Sequence, residues 1–306
     1  MHEGSRKAII AAFFANLGIA LSKFVGFLLT GSAGLAAESV HSLADTANQG
    51  LLMLGSKRSH REIDAEHPFG HTRERYFWAF IVALVLFSMG GLFAIYEGIS
   101  KLRHPHETES IAIAIVILGV AIVLEGFSLR TAVREASALK PADQSYWRFI
   151  RESKSPELPT VLLEDVAAET GLVVAFAGVL LAHFTHNPRW DAAGSVAIGV
   201  LLVVVAFILG IEMKAMLMGE VASPHDRSAL FRALRSHEHV QRVVYMHTEH
   251  LGPETLLVAT KVLFDPALSA EAVARTIDEA EAQMRLAVPS ARFIFIEPDV
   301  HNPHAH

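Results

Sequence analysis

Six apolar stretches, near residues 8–30, 33–55, 76–100, 110–132, 159–185 and 190–213, alternate with short polar connections. Each approaches the roughly 20 residues that an α-helix needs to cross a hydrocarbon core about 30 Å thick, so the pattern predicts six transmembrane helices. Beyond them the period changes. "SPHD" at 223–226 predicts a helix start, with Ser223 as N-cap, Pro224 at the first helical position and Asp226 closing the box, and the helix runs to about His237. Two β-rich stretches follow, 240–250 and 255–264, split by a turn at "LGP". A helix over 269–287 carries Ala272, Val273, Ile277, Ala280 and Met284 at helical spacing, and a last strand occupies 291–299. The fold class expected is therefore an α-helical membrane protein: a six-helix bundle over 1–215, followed by a small α+β domain over 216–299 in the order α-β-β-α-β. A His-rich tail, 300–306, ends the chain. The polar segment 134–158 is expected as a surface helix leading into the fifth span, where Pro156 and Pro159 mark the entry.

The second span breaks its own pattern. Glu38, His41, Asp45 and Asn48 are separated by three, four and three residues, which puts them on one helix face. A charge at the bilayer centre costs roughly 2.5 to 3.5 kcal/mol even on insertion scales, so something must offset it. His41 and Asp45, one turn apart, can reach a single divalent cation. The fifth span repeats the theme in "TVLLEDVAAETG", where Asp165 and Glu169 are one turn apart and Glu164 adjoins Asp165. Two such clamps complete a four-ligand cage of His41, Asp45, Asp165 and Glu169, suited to zinc and acceptable to manganese, iron(II) or cobalt. Glu38, Asn48 and Glu164 are further candidates for the site or the path to it. Such ligands shed protons to bind metal, which is the physical basis of metal/proton exchange. Among the other polar residues in the spans, Asn16, Lys23, Glu97, Glu125 and Asp191 read as path-lining or mutually paired, with Lys23, Glu97 and Asp191 near enough to helix ends to snorkel.

Composition narrows the chemistry. The 306 residues are 52% hydrophobic and 19% charged, with no cysteine, which excludes thiolate metal sites and disulfides. Seventeen histidines accompany a net charge of −6, which argues against nucleic acid as a partner. Lys57, Arg58, Arg61, Arg73 and Arg75 lie between spans two and three, and Arg134, Lys140, Arg148, Arg151 and Lys154 between four and five. This basic excess predicts that both termini face the cytoplasm, and a cell inner membrane is the simplest host.

On "HSLAD" in the second helix, "HPFGH" in the following loop, the acidic motif of the fifth helix and the α+β domain at the end, the chain resembles the cation diffusion facilitator, or zinc transporter, family over nearly its whole length. The resemblance implies a ferredoxin-like fold for the C-terminal domain and a homodimer formed through it. It implies a second metal site at Asp64, His67 and His71. It leaves the fifth helix open: either Asp165 takes the place of the family's aspartate and Val161 that of its histidine, or Asp165 and Glu169 take the two places in turn. In the C-terminal domain Val244, Thr260 and Phe295 stand where the family's zinc-loaded form has histidines, with Glu297 near its aspartate, so metal there is not expected; His247, His250, His301, His304 and His306 remain as loose donors.

The expected function is that of a secondary transporter exporting a divalent metal from the cytoplasm against protons. Zinc comes first, with manganese, iron(II), cobalt or cadmium as alternatives. A membrane metallohydrolase is disfavoured because no HExxH motif is present. A membrane-anchored metal sensor would not need charges at bilayer depth, and an ion channel is the remaining reading from the residues alone.

Overall fold

The computed structural model describes residues 3–105, 110–140 and 144–299. The tail histidines His301, His304 and His306 lie outside the described residues. The chain divides into two compact units, one running to Lys57 and resuming over Phe77–Met213, the other comprising Arg58–Tyr76 and the chain from Lys214.

The first unit is helical: α1 (Glu3–Thr30), α2 (Ala33–Ser59), α3 (Glu74–Val85), a π-helical stretch (Leu86–Leu92), α4 (Phe93–Arg103), α5 (Ile111–Leu139), α6 (Tyr146–Glu152), α7 (Glu157–Thr185) and α8, which begins at Arg189 and runs on to Met218 in the second unit. The π-helical residues join α3 and α4 into one rod, Glu74–Arg103. That rod, α5, α7 and α8 are each long and apolar enough to cross a membrane; Asn16–Thr30 of α1 is a shorter apolar stretch. At 27 residues α2 has the length to do the same, but its polar stripe interrupts the apolar run. Leu35, Leu86, Leu118, Leu172, Ile198 and Leu202 meet in the interior. Phe184 and Phe207 are 75% and 69% exposed, and such outward apolar surface suits lipid rather than water.

The segment 134–158 is not one surface helix. Its first residues continue α5, because Ala132 and Ala136 are buried against Ile150 of α6 and Leu162 of α7. The separate α6 is capped by Ser145, whose hydroxyl accepts from the Arg148 backbone N–H.

The second unit contains α9 (Pro224–Arg235), β1 (Val240–Gly252), β2 (Thr255–Phe264), α10 (Ala270–Ala287) and β3 (Ala291–Asp299), in the expected order. Ser223 caps α9 by accepting from the Asp226 N–H at 3.0 Å, and Ser269 caps α10 through Ala272 N–H. In the sheet β2 is central, antiparallel to β1 and parallel to β3. Alternate residues of β2, among them Leu256, Val258 and Val262, are buried with Leu230 and Leu234 of α9 and Ala280 and Met284 of α10. The Arg58–Tyr76 loop joins this unit through specific contacts. Phe69 packs edge-on against Phe293 of β3 at 5.2 Å, Thr72 Oγ1 donates to the Leu251 carbonyl at 2.7 Å, and Arg73 pairs with Glu249 of β1.

Candidate functional site

In the first unit Glu38, His41 and Asn48 of α2 are fully buried. His41 Nδ1 lies 3.4 Å from Asp45 Oδ1, as the one-turn spacing requires. Neither ring nitrogen of His41 nor Oδ1 of Asp45 has a hydrogen-bond partner. Buried polar atoms left so are costly, and imidazole nitrogens and carboxylate oxygens are chemically able to ligate a cation.

From α7, Glu164 Oε1 accepts from Asn48 Nδ2 at 2.7 Å, and Asp165 Oδ2 accepts from Ser128 Oγ of α5 at 3.1 Å. Asp45, Glu164 and Asp165 line one small cleft of about 30 Å³, with Asn16 of α1, Glu125 of α5 and Val161 of α7 beside them. That is room for one ion or water. Glu169 does not line it; its carboxylate faces Gly126 of α5 instead. Among the described residues, His41, Asp45, Asp165 and Glu169 do not bring three ligand atoms within 4.8 Å of one another. The structure thus pairs His41 with Asp45 and gathers Asp45 with Glu164 and Asp165. Glu125 and Asn16, read from the sequence as path-lining or paired, line the same cleft.

Lys23 and Asp191 do not snorkel. Lys23 is fully buried, and its ammonium donates to Ser42 Oγ at 2.7 Å and to Glu38 Oε2 at 3.3 Å, with Glu125 Oε1 at 3.8 Å. Its counter-charges, Glu38 on α2 and Glu125 on α5, lie beside it in the interior. Gly171 of α7 leaves room for Glu38, since a Cβ there would lie 2.5 Å from Glu38 Oε1. Asp191 of α8 forms a buried pair with Lys101 of α4 at 2.8 Å, and Lys101 also donates to the Gly31 carbonyl. The same carboxylate accepts from Ser32 Oγ and from the N–H groups of Ala33 and Gly34, at the positive end of α2.

The second unit holds a different cluster. Asp64 Oδ1 accepts from the backbone N–H groups of Glu66 and His67 and faces His67 Nδ1 at 3.0 Å, while Oδ2 faces His71 Nε2 at 3.1 Å. The two imidazole centroids are 4.2 Å apart. Gly70, at φ +82°, turns the chain so that both rings meet one carboxylate. These three residues offer ligand atoms mutually within 4.8 Å, the geometry of a three-donor metal site.

Hydrogen bonding from the His67 side chain, then from its backbone N–H and from His71, holds Asp64 below its ordinary value of 3.8. A depressed folded-state value contributes stability above pH 3.8 that is lost as pH falls through the folded value. Protection of the Glu66 and His67 amides, taken relative to their intrinsic exchange, is expected to hold above pH 3.8 and to fall as pH drops through the folded value, and Asp64→Asn to weaken this pH dependence. Protection independent of pH in the unaltered chain would remove Asp64 as the loop's organiser.

In the C-terminal sheet Glu297 is held by Lys261 Nζ and Tyr245 Oη, both at 3.1 Å, and these bonds lower its carboxyl below the usual range. Val244 and Phe295 are exposed, and Thr260 Oγ1 donates to the Tyr245 carbonyl.

The cation efflux transmembrane domain family model matches residues 9–218. The chain is 33% identical over 265 residues to the proton-coupled zinc antiporter SLC30A9, mitochondrial, of Homo sapiens, covering 86% of this chain and 46% of that protein. It is 31% identical to metal tolerance protein C4 of Arabidopsis thaliana, over 86% of this chain and 58% of the relative. With the magnetosome protein MamB of Magnetospira sp. it shares 25% identity over 87% of this chain and 88% of that one. The chain spans about half the length of the SLC30A9 proteins it matches.

Proposed function

This chain belongs to the cation diffusion facilitator family, and we propose that it exports a divalent transition metal, zinc first, from the cytoplasm in exchange for protons. It is a multi-pass membrane protein of a transport family, not an enzyme. The observation that carries the reading is the unsatisfied His41–Asp45 pair beside the cleft of Asp45, Glu164 and Asp165, inside helices whose outer faces are apolar. That the SLC30A9 relatives are named proton-coupled zinc antiporters supports zinc and proton coupling.

In this reading metal first meets Asp64, His67 and His71, then enters the bundle, where Asp45 and Asp165 take it with His41 and with Glu164 or Glu169. Rocking of the helices exposes it to the far side, and protons displace it. The basic loops support cytoplasmic termini in an inner membrane, and the C-terminal unit is the proposed homodimer contact. Carboxylates outnumber histidine at the cleft, which keeps manganese, iron(II), cobalt and cadmium as candidate substrates.

Proteoliposomes of the purified chain are expected to take up zinc faster when a pH gradient is imposed. Uptake confined to manganese or iron(II) would replace zinc as the substrate, and no uptake of any of the five metals would refute transport.

A further inference from the structure

Within the second unit a cavity of about 330 Å³ is lined by residues 59–75, the turn at Pro253 and Glu254, and the starts of β2 and β3. Its size is that of a small-molecule site. Three guanidiniums line it, Arg61, Arg75 and Arg292, against one carboxylate, Glu254. The chain as a whole carries −6, whereas the lining of this concavity is basic. Arg61 and Arg75 come from the Arg58–Tyr76 segment and Arg292 from β3, far later in the chain, so the folded unit brings the third to the other two. Thr72 adds a hydroxyl at the same wall, and the edge-on pair of Phe69 and Phe293 supplies an apolar surface beside the charges.

A guanidinium presents a planar fork of N–H donors that matches two oxygens of a phosphate, and several such forks around one concavity suit a multiply charged oxyanion better than a single carboxylate. An adjoining phenyl surface favours an anion attached to an organic body over a bare ion. We propose that this cavity binds a phosphate group carried on an organic molecule, with Arg61, Arg75 and Arg292 on the phosphate and the two phenyl rings against the remainder. Two sources share that chemistry: an anionic lipid headgroup, since Ser59 closes α2 and Arg75 lies at the start of α3, and a soluble phosphate ester. His71 of the Asp64–His67–His71 cluster also lines the cavity, and the arginines that would hold the phosphate are not part of that cluster.

The test uses the full chain. Equilibrium binding of radiolabelled inorganic phosphate in neutral detergent probes the soluble source. Native mass spectrometry of protein released from nanodiscs of phosphatidylcholine, with or without phosphatidylglycerol, probes the lipid source. Removing both Arg61 and Arg292 as glutamines is expected to weaken binding of whichever probe is retained by roughly tenfold or more. Glu254→Gln is expected to tighten it, a gain that unfolding cannot mimic, and Arg275→Gln on the exposed face of α10 to leave it unchanged. Retention of phosphate alone assigns a soluble ligand, and retention of phosphatidylglycerol alone a lipid. Retention of neither, or binding indifferent to the arginine and Glu254 variants, overturns the proposal.

Discussion

Asp45→Ala and Asp165→Ala are each expected to abolish metal uptake while leaving a folded bundle. Loss of an outer partner of a metal ligand already costs roughly 10- to 100-fold, and loss of a ligand costs more. Folding should survive because Asp45 Oδ1 has no hydrogen-bond partner, and Asp165→Ala orphans only Ser128 Oγ, a cost of about 1 kcal/mol. Glu164→Ala is a harsher change, since it strips Asn48 Nδ2 of its acceptor. Glu169→Ala separates the two ways of reading the fifth apolar stretch. With its carboxylate turned to Gly126 and Val161 lining the cleft, it is expected to reduce uptake less than Asp165→Ala. Equal losses would return Glu169 to the ligand set, and normal uptake by either aspartate variant would refute the site.

The largest effect on stability is expected at Asp191. Asp191→Ala leaves the Lys101 ammonium buried without its counter-charge and removes the acceptor for Ser32 Oγ and the Ala33 and Gly34 N–H groups. Breaking one side of a buried pair costs roughly 3–5 kcal/mol, against a total stability of about 5–15 kcal/mol. Thermal unfolding in detergent should therefore move sharply downward for Asp191→Ala and for Lys101→Met. The double variant should regain part of the loss, because no uncompensated charge remains. Additive losses in the double variant would show that the pair contributes nothing as a pair.

The polar face of α2 was legible because helical spacing alone places Glu38, His41, Asp45 and Asn48 in one line. The cap box at Ser223 and the order of helices and strands in the C-terminal unit were legible because the signals that carry them are local. What escaped depends on partners distant in sequence. Asn16, Lys23, Glu125 and Asp191 were legible as path-lining or mutually paired residues, but not which of them meet: Glu38 and Glu125 lie beside Lys23, and Lys101 beside Asp191, pairings that no spacing marks. The attachment of the Arg58–Tyr76 loop to the C-terminal unit rests on Phe69 meeting Phe293 and Thr72 meeting Leu251, contacts that leave no trace in hydropathy. Residues 134–139 went to α5 because two buried alanines outweigh the polar character of that segment.

The carboxylate at Asp191 also sets a clock. It lies 158 residues after Ala33, whose N–H it accepts. At about 5–20 residues per second the ribosome needs roughly 10 to 30 s to cover that distance. Throughout that interval the first turn of α2 has been synthesised without its acceptor, and for the last 90 residues of it the Lys101 ammonium has been synthesised without its counter-ion. Nascent chains arrested before Asp191 should therefore hold α2 in a protease-accessible state, and release from arrest should close it.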